Sequence, residues 1–266
     1  MKKDSKVATS YRTLWISDVH LGNKASHAND LLNFLAEVRA EKIYLVGDIV
    51  YLERLKWRPC FPEAHLQVIA ELVRLASQGT EVIYVPGNHD YEFRAMTGRD
   101  ICGIPVMLEA THETADGRKL LVMHGDVLDG RIREGTNLEK FAAAAYFVLM
   151  ETDALVNRIR RSLGADYFPM MASIKRRLQS ANAFIARFEE VAAEYAQQRG
   201  FDGVICGHIH RPSIRTIDGC LYYNDGDWVE HRTALAEAGD GSMQILNWER
   251  DSVTIDALHK VPSLAA

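Results

Sequence analysis

Leu14-Trp15-Ile16-Ser17-Asp18-Val19-His20 is the stretch from which the rest of the chain can be read. A short apolar run suits a buried strand, and it stops abruptly at residues that can bind a metal ion. The same pattern recurs four times. Residues 43–46 run into Gly47-Asp48, 82–85 into Pro86-Gly87-Asn88-His89-Asp90, 120–123 into His124-Gly125-Asp126, and 204–206 into Gly207-His208-Ile209-His210. Between the early strands lie two helical patterns. Residues 28–39 place Leu31, Leu32, Leu35 and Val38 on one face, and residues 62–78 do the same with Leu66, Ile69, Leu72, Val73 and Leu75 before Gly79 closes the helix. Continuous apolar strands separated by amphipathic helices predict an α/β core with helix-covered sheets.

After residue 211 the pattern changes to short strands and turns, at 214–217, 221–223, 243–246 and 253–255. The stretch from about 130 to 200 has no strand signal, many alanines and helical patterning throughout. It reads as a helical insertion within a single domain spanning residues 1–266.

The chain of 266 residues is 47% hydrophobic and 25% charged, values of an ordinary folded protein rather than a disordered one. With a net charge of -5 it lacks the basic excess of a protein that coats nucleic acid, and no nucleic-acid partner is expected. No segment approaches the ~20 apolar residues of a membrane span. The charged start Met1-Lys2-Lys3-Asp4-Ser5-Lys6 leads into no apolar run, so no secretory signal is expected. Cys60, Cys102, Cys206 and Cys220 are scattered, as buried thiols in a reducing compartment usually are. The expected location is the cytoplasm, with peripheral attachment at the inner face of the cytoplasmic membrane.

Ligands of open α/β sheets bind beyond the carboxyl ends of the strands, so the five clusters should converge on one cleft. If the strand continues extended, alternation points Asp18 and His20 the same way, and likewise His208 and His210. The glycines at 47, 87, 125 and 207 permit close backbone approach there. Asp18, Asp48 and Asn88 with His20, His124, His208 and His210 are too many donors for one ion and suit two divalent ions. Mixed oxygen and nitrogen ligation without thiolate favours Mn²⁺, Fe, Zn²⁺ or Co²⁺ over Ca²⁺. Two such ions are a device for in-line attack on phosphorus.

In this order and spacing, the five motifs resemble those of the calcineurin-like metallophosphoesterase family. The resemblance implies a four-layer α/β/β/α sandwich and a metal-bridged hydroxide as nucleophile, with Mn²⁺ the first choice of metal. It assigns one ion to Asp18, His20, Asp48 and His210 and the other to Asp48, Asn88, His124 and His208, with Asp48 bridging. His89 would stabilise the phosphoryl oxygen or protonate the leaving group, and Asp90 would orient His89.

Gly207-His208-Ile209-His210-Arg211-Pro212, followed by Tyr223-Asn224-Asp225-Gly226-Asp227-Trp228, is similar to the UDP-2,3-diacylglucosamine diphosphatase branch. That branch releases UMP from a nucleoside-diphospho-lipid and holds acyl chains under a helical lid. The insertion suits such a lid. Residues 154–188 carry seven basic side chains, Arg158, Arg161, Lys175 and Arg176 among them, against the single acid Asp166, interleaved with apolar residues. Such helices suit an anionic membrane surface or a diphosphate with acyl tails. Arg94 and Arg211, close to metal motifs, are further candidates for the substrate phosphate. Trp57, with Arg54, Lys56 and Arg58, is expected on a loop bordering the cleft. His27, His65, His112, His231 and His259 lie outside the clusters and read as surface or structural.

The chain departs from the branch in carrying His89 where the branch carries Arg, and in lacking a carboxylate three residues after Asp48. Two alternatives stay open: a phosphodiesterase acting on a soluble nucleotide or nucleic acid, and a non-catalytic membrane-binding module of the same fold.

Overall fold

The first strand, β1 (Thr9–Ile16), separates its neighbours by simple alternation: Leu14 and Ile16 face one way, Trp15 the other, and all three are fully buried. In the structure, a computed structural model describing residues 9–57, 59–132, 179–249 and 252–261, the strand lies near the middle of a six-stranded sheet. Helix α1 (Ala28–Glu37) leads into β2 (Val38–Val46), and the short α2 (Leu52–Trp57) and longer α3 (Glu63–Ser77) lead into β3 (Glu81–Val85). The three strands β1, β2 and β3 run parallel. A small hairpin of β4 (Asp100–Ile101) and β5 (Ile104–Pro105) follows.

A second sheet takes β6 (Ala110–Glu113), β7 (Lys119–Val122), β8 (Gly203–Cys206), β9 (Ser213–Ile217) and β10 (Cys220–Asn224), in the order β6-β7-β8-β10-β9. Between β7 and β8 come α4 (Asp129–Ile132) and α5 (Gln179–Gln198). The chain then returns to the first sheet through β11 (Thr233–Glu237), β12 (Met243–Glu249) and β13 (Ser252–Val261), which join antiparallel to complete the order β13-β12-β11-β1-β2-β3.

Three apolar layers account for the architecture. Trp15, Tyr44, Val46 and Ile83 of the first sheet meet Leu120, Val122, Ile205 and Tyr223 of the second between the sheets. Leu14, Ile16, Ile43 and Leu45 pack outward on Leu31, Phe34, Leu35, Val68 and Leu72 of α1 and α3. Leu121, Val204 and Cys206 pack outward on Ile185, Phe188, Ala192 and Ala196 of α5, one stripe at helical spacing. The result is the four-layer α/β/β/α sandwich. Burying each large side chain in these layers contributes about 1.5–3 kcal/mol.

Local expectations need four adjustments. Val38, placed on a helix face by its spacing, opens β2 and pairs with Thr9. Leu66 points to solvent, while Val68 joins Leu72 and Leu75 on the buried face of α3. Trp57 ends helix α2 rather than sitting on a loop, and its side chain is exposed. The strand β11, Thr-Ala-Leu-Ala-Glu, has no strand-like composition, yet it is buried throughout between β1 and β12, where small residues fit under close-packed neighbours. Among the described residues no helix is long and apolar enough to cross a membrane. Arg158, Arg161, Lys175, Arg176 and the expected lid segment through residue 178 lie outside the described residues.

Candidate metal centre

Within each sheet the motif loops leave at one end, because β1, β2 and β3 are parallel to one another, as are β7, β8 and β10, and the contacts of His208 with Asp18 and of His124 with Asp48 bring the two ends together. The backbone there is not extended. Asp18, His20, Asp48, His208 and His210 have φ of 51°, 52°, 53°, 67° and 52°. Asp and His visit this left-handed region more readily than bulkier residues, and each such turn costs about 1–3 kcal/mol unless its surroundings hold it. Here the loops hold one another: Asp18 N–H donates to Gly47 O (3.0 Å), His20 N–H to Asp48 O (2.8 Å) and Trp228 N–H to Asp18 O (3.1 Å). Left-handed turns, not strand alternation, bring Asp18 and His20 together, and His210 with them.

The convergence is tight. His210 Nε2 lies 3.0 Å and His20 Nε2 3.6 Å from Asp18 Oδ1, and the two imidazole Nε2 atoms are 3.2 Å apart. Asp48 Oδ2 is a second hub, 3.4 Å from His124 Nε2, 3.9 Å from His20 Nε2 and 4.0 Å from His89 Nε2. Three overlapping sets could each hold a metal ion: Asp18, His20 and His210; His20, Asp48 and His89; and Asp18, Asp48 and His124. Asn88 Oδ1 is a buried carbonyl oxygen with no hydrogen-bond partner among the described residues. Such orphans are rare in folded proteins, and a cation satisfies one.

The site's charges are consistent with a cation. Burial alone would raise the Asp18 carboxyl, but the imidazoles of His210 and His20 hold it well below the usual carboxylate range. Burial acts on Asp48 in the same way and is again outweighed, by His124 and then His20. His124 is the complement: burial lowers it, yet Asp48 and Asp18 carry it well above the ordinary histidine range. Its Nδ1–H is given to Val46 O at 2.8 Å, which turns Nε2 toward Asp48. Without a metal, Asp48 and His124 therefore form a carboxylate–imidazolium pair, whose proton a metal ion would displace. Burial pushes His89 down to about 4, partly opposed by Asp48.

Close packing makes two glycines obligatory. A Cβ on Gly47 would strike the His124 ring, and one on Gly87 would lie 2.7 Å from both Asp48 N and His124 Cδ2.

Other candidates stand at the edge of the cluster. His208 donates its N–H to Asp18 Oδ2 (2.9 Å), and its ring sits 5.2 Å from that of His124, but its Nε2 meets Asp129 Oδ1 at 3.0 Å. Asp129, five residues beyond His124, belongs to no motif and is recognisable only in space.

Asp90 does not reach the imidazole of His89. Its Oδ2 accepts from Ile49 N (2.7 Å) and Tyr84 OH (2.6 Å), and its Oδ1 from Gly87 N (2.6 Å). Spent in this way, the carboxylate fastens the Gly87–Asp90 loop to the Asp48 turn. Arg94 makes a two-oxygen ion pair with Asp126, 2.8 Å to each, and also donates to Pro86 O. Arg211 is exposed, one residue past His210. Two of the motif-free histidines are buried and structural: His65 accepts from Gly22 N–H (2.7 Å), and His112 meets Glu237 (3.0 Å).

Comparison with known proteins bears on this geometry. The family model for calcineurin-like phosphoesterases matches residues 11–212. The chain is 27% identical over 246 residues to a UDP-2,3-diacylglucosamine hydrolase of Xanthomonas campestris pv. campestris, covering 86% of this chain and 96% of that protein. Its similarity to the protein so named in Stenotrophomonas maltophilia is 27% over 256 residues, 88% and 98% of the two chains. For that of Chromohalobacter salexigens it is 28% over 216 residues, 78% and 84%. Among solved structures, the Escherichia coli phosphoesterase Yfce superposes with a TM-score of 0.50 at 15% identity, over 94% of this chain and 98% of that one.

Proposed function

We propose that this chain, which belongs to the calcineurin-like phosphoesterase family and is a metal-dependent hydrolase, cleaves the diphosphate of UDP-2,3-diacylglucosamine, or of a similar nucleoside-diphospho-lipid, to UMP and a lipid phosphate. The observation that carries the chemistry is the convergence of buried Asp18, His20, Asp48, His124 and His210, with the orphaned Asn88 oxygen one residue before His89. The substrate rests on similarity to the named relatives along nearly their whole length.

In this reading Asp18, His20, Asp48 and His210 hold one divalent ion, and Asp48, Asn88, His124 and His208 the other, with Mn²⁺ the first candidate. Bound there, the ions would neutralise charge on the phosphoryl oxygens and activate water. The chain's own residues do the rest. The paired loops keep Asp48 Oδ2 within reach of both His20 and His124, and the His89 N–H to Asp48 Oδ1 bond (2.8 Å) fixes that carboxylate's rotation. The His89 imidazole, on the same side as Asp48 Oδ2, is placed to donate to a phosphoryl oxygen. Arg211 is exposed beside His210 and takes a distal phosphate. An anionic membrane face is the proposed partner surface, supported by the basic and apolar composition of residues 154–188.

The test is UMP release from UDP-2,3-diacylglucosamine by the protein with Mn²⁺, against an EDTA-treated sample and Asp48→Asn. Release that needs both metal and Asp48 supports the reading. Metal-dependent cleavage of a nitrophenyl phosphodiester without UMP release would replace the lipid by a soluble phosphodiester. Stoichiometric Mn²⁺ with no hydrolysis of either would leave a non-catalytic module.

A further inference from the structure

Ser17 sits between two carboxyl groups that it cannot serve equally. Its Oγ lies 2.5 Å from Asp18 Oδ2 and 2.7 Å from Asp225 Oδ1, with a longer approach of 3.3 Å to Gly226 O. A hydroxyl has one proton to donate. With both carboxyls ionised, one of these short oxygen–oxygen contacts would have no proton in it, so one carboxyl is protonated.

The surroundings decide which. Asp18 is placed as an anion: Oδ1 faces His210 and His20 at 3.0 and 3.6 Å, and Oδ2 also accepts His208 N–H at 2.9 Å. Asp225 is placed as a neutral acid. It is completely buried, and its one side-chain hydrogen bond among the described residues is with Ser17. Its Oδ2 has no hydrogen-bond partner there, and the nearby His124 imidazole, which favours the charged form, is outweighed by burial and by Asp18. An ionised carboxylate so placed would lack the compensation that buried charge requires. Burial, with the negative Asp18 nearby, accordingly drives this carboxyl well above the usual range.

We infer that Asp225 is a neutral, hydrogen-bond-donating positioning residue: its Oδ1–H donates to Ser17 Oγ, Ser17 donates to Asp18 Oδ2, and Asp18 Oδ1 is left aimed at His20 and His210. The backbone closes this relay. A Cβ on Gly207 would lie 2.5 Å from Asp18 Oδ2 and closer still to Ser17 Oγ, so only glycine fits against it. Asn224 Nδ2–H donates to Gly207 O at 2.7 Å and Asp225 N–H to Cys206 O at 3.3 Å, fastening the relay to the ends of β10 and β8. Through it the second sheet sets the side-chain orientation of a residue on the first. The consequence for metal affinity rests on the reading of Asp18 as a ligand; the proton's position does not.

Two measurements test this. Infrared spectra of metal-free wild type and Asp225→Asn at neutral pH should differ by the carbonyl stretch of a protonated carboxylic acid, shifted in D₂O and absent from the variant. A difference confined to ionised-carboxylate bands would overturn the inference. In Mn²⁺ titrations, Asp225→Asn, whose amide can still donate to Ser17, should stay within about threefold of wild type, whereas Asp225→Leu and Ser17→Ala should bind about tenfold or more weakly. Equal losses in the Asn and Leu variants overturn the donor role, and undiminished affinity in Ser17→Ala overturns the positioning of Asp18. Wild type failing to bind Mn²⁺ would overturn the metal centre and its positioning, with the infrared result still deciding the proton on Asp225.

Discussion

Gly87→Ala isolates the steric construction of the site. The backbone of Gly87 is not in the left-handed region, so alanine is conformationally permitted and whatever the change costs comes from contact. The added Cβ would lie 2.7 Å from Asp48 N and His124 Cδ2, and closer to Asp48 Oδ1, where ordinary contact begins near 3.4 Å. Asp48 N is backbone held by neighbouring turns and cannot yield cheaply, so the Asp48 carboxylate and the His124 ring must. Overpacking of this kind costs about 1–3 kcal/mol. Moving Asp48 also breaks the charged bond from His89 N–H, worth about 1.5–3 kcal/mol. A loss of about 3–5 kcal/mol in urea unfolding is expected, with Mn²⁺ affinity falling at least tenfold as Asp48 leaves its place. Gly130→Ala is the matched control: its Cβ meets open space on α4, and it should be neutral or stabilising by about 0.5–1 kcal/mol. If Gly87→Ala behaves like the control in both unfolding and Mn²⁺ titration, the close-packed geometry of Asp48 and His124 is wrong.

Three other outcomes follow from the same structure. Glu237 is buried and accepts from Thr13 (3.0 Å), Ala115 N (2.7 Å) and Arg12 (2.8 Å) while meeting His112, so Glu237→Leu should cost about 3–5 kcal/mol in urea unfolding without altering Mn²⁺ affinity, and a loss below about 1 kcal/mol would refute that role. Burial lowers the His65 imidazole, whose Nδ1 must stay unprotonated to accept Gly22 N–H; the folded state then binds fewer protons than the unfolded one. The stability from this group is complete above about pH 6.5 and lost as pH falls from there toward the folded value, so His65→Gln should show a shallower fall in urea midpoint between about pH 7.5 and 5.5, in EDTA, than wild type. Identical slopes would contradict it. Asp129→Ala frees the His208 ring and should lower turnover about 10–100-fold, measured with a nitrophenyl phosphodiester and Mn²⁺; unchanged turnover would make the contact incidental.

Much of the fold could be read from the chain because its signals are local. Each of the five strands that lead into a motif ends in a continuous apolar run, as burial on both faces demands, and each run stops where donor residues begin. The strands and helices that escaped or slipped are those whose state depends on distant neighbours. β11, without strand-like composition, is a strand because β1 and β12 flank it, and Leu66 is left exposed by the way α3 lies on the sheet. Strand alternation would also put Asp18 beside His20, but what pairs them is left-handed turns held by hydrogen bonds to loops far along the chain.

Asp18, His20, Asp48, His124 and His210, which the fold gathers into overlapping clusters, stand out as candidate donors by order and composition alone, because a donor's chemistry is intrinsic to its side chain. The partnerships do not. Arg94 pairs with Asp126; Asp90 faces backbone and Tyr84 instead of the His89 ring; neither Asp129 nor Ser17 is a motif donor. Which state Asp225 adopts is a matter of burial and of one shared proton. Such facts depend on desolvation and on distances between residues far apart in the chain, and these come into being only when the two sheets close on each other.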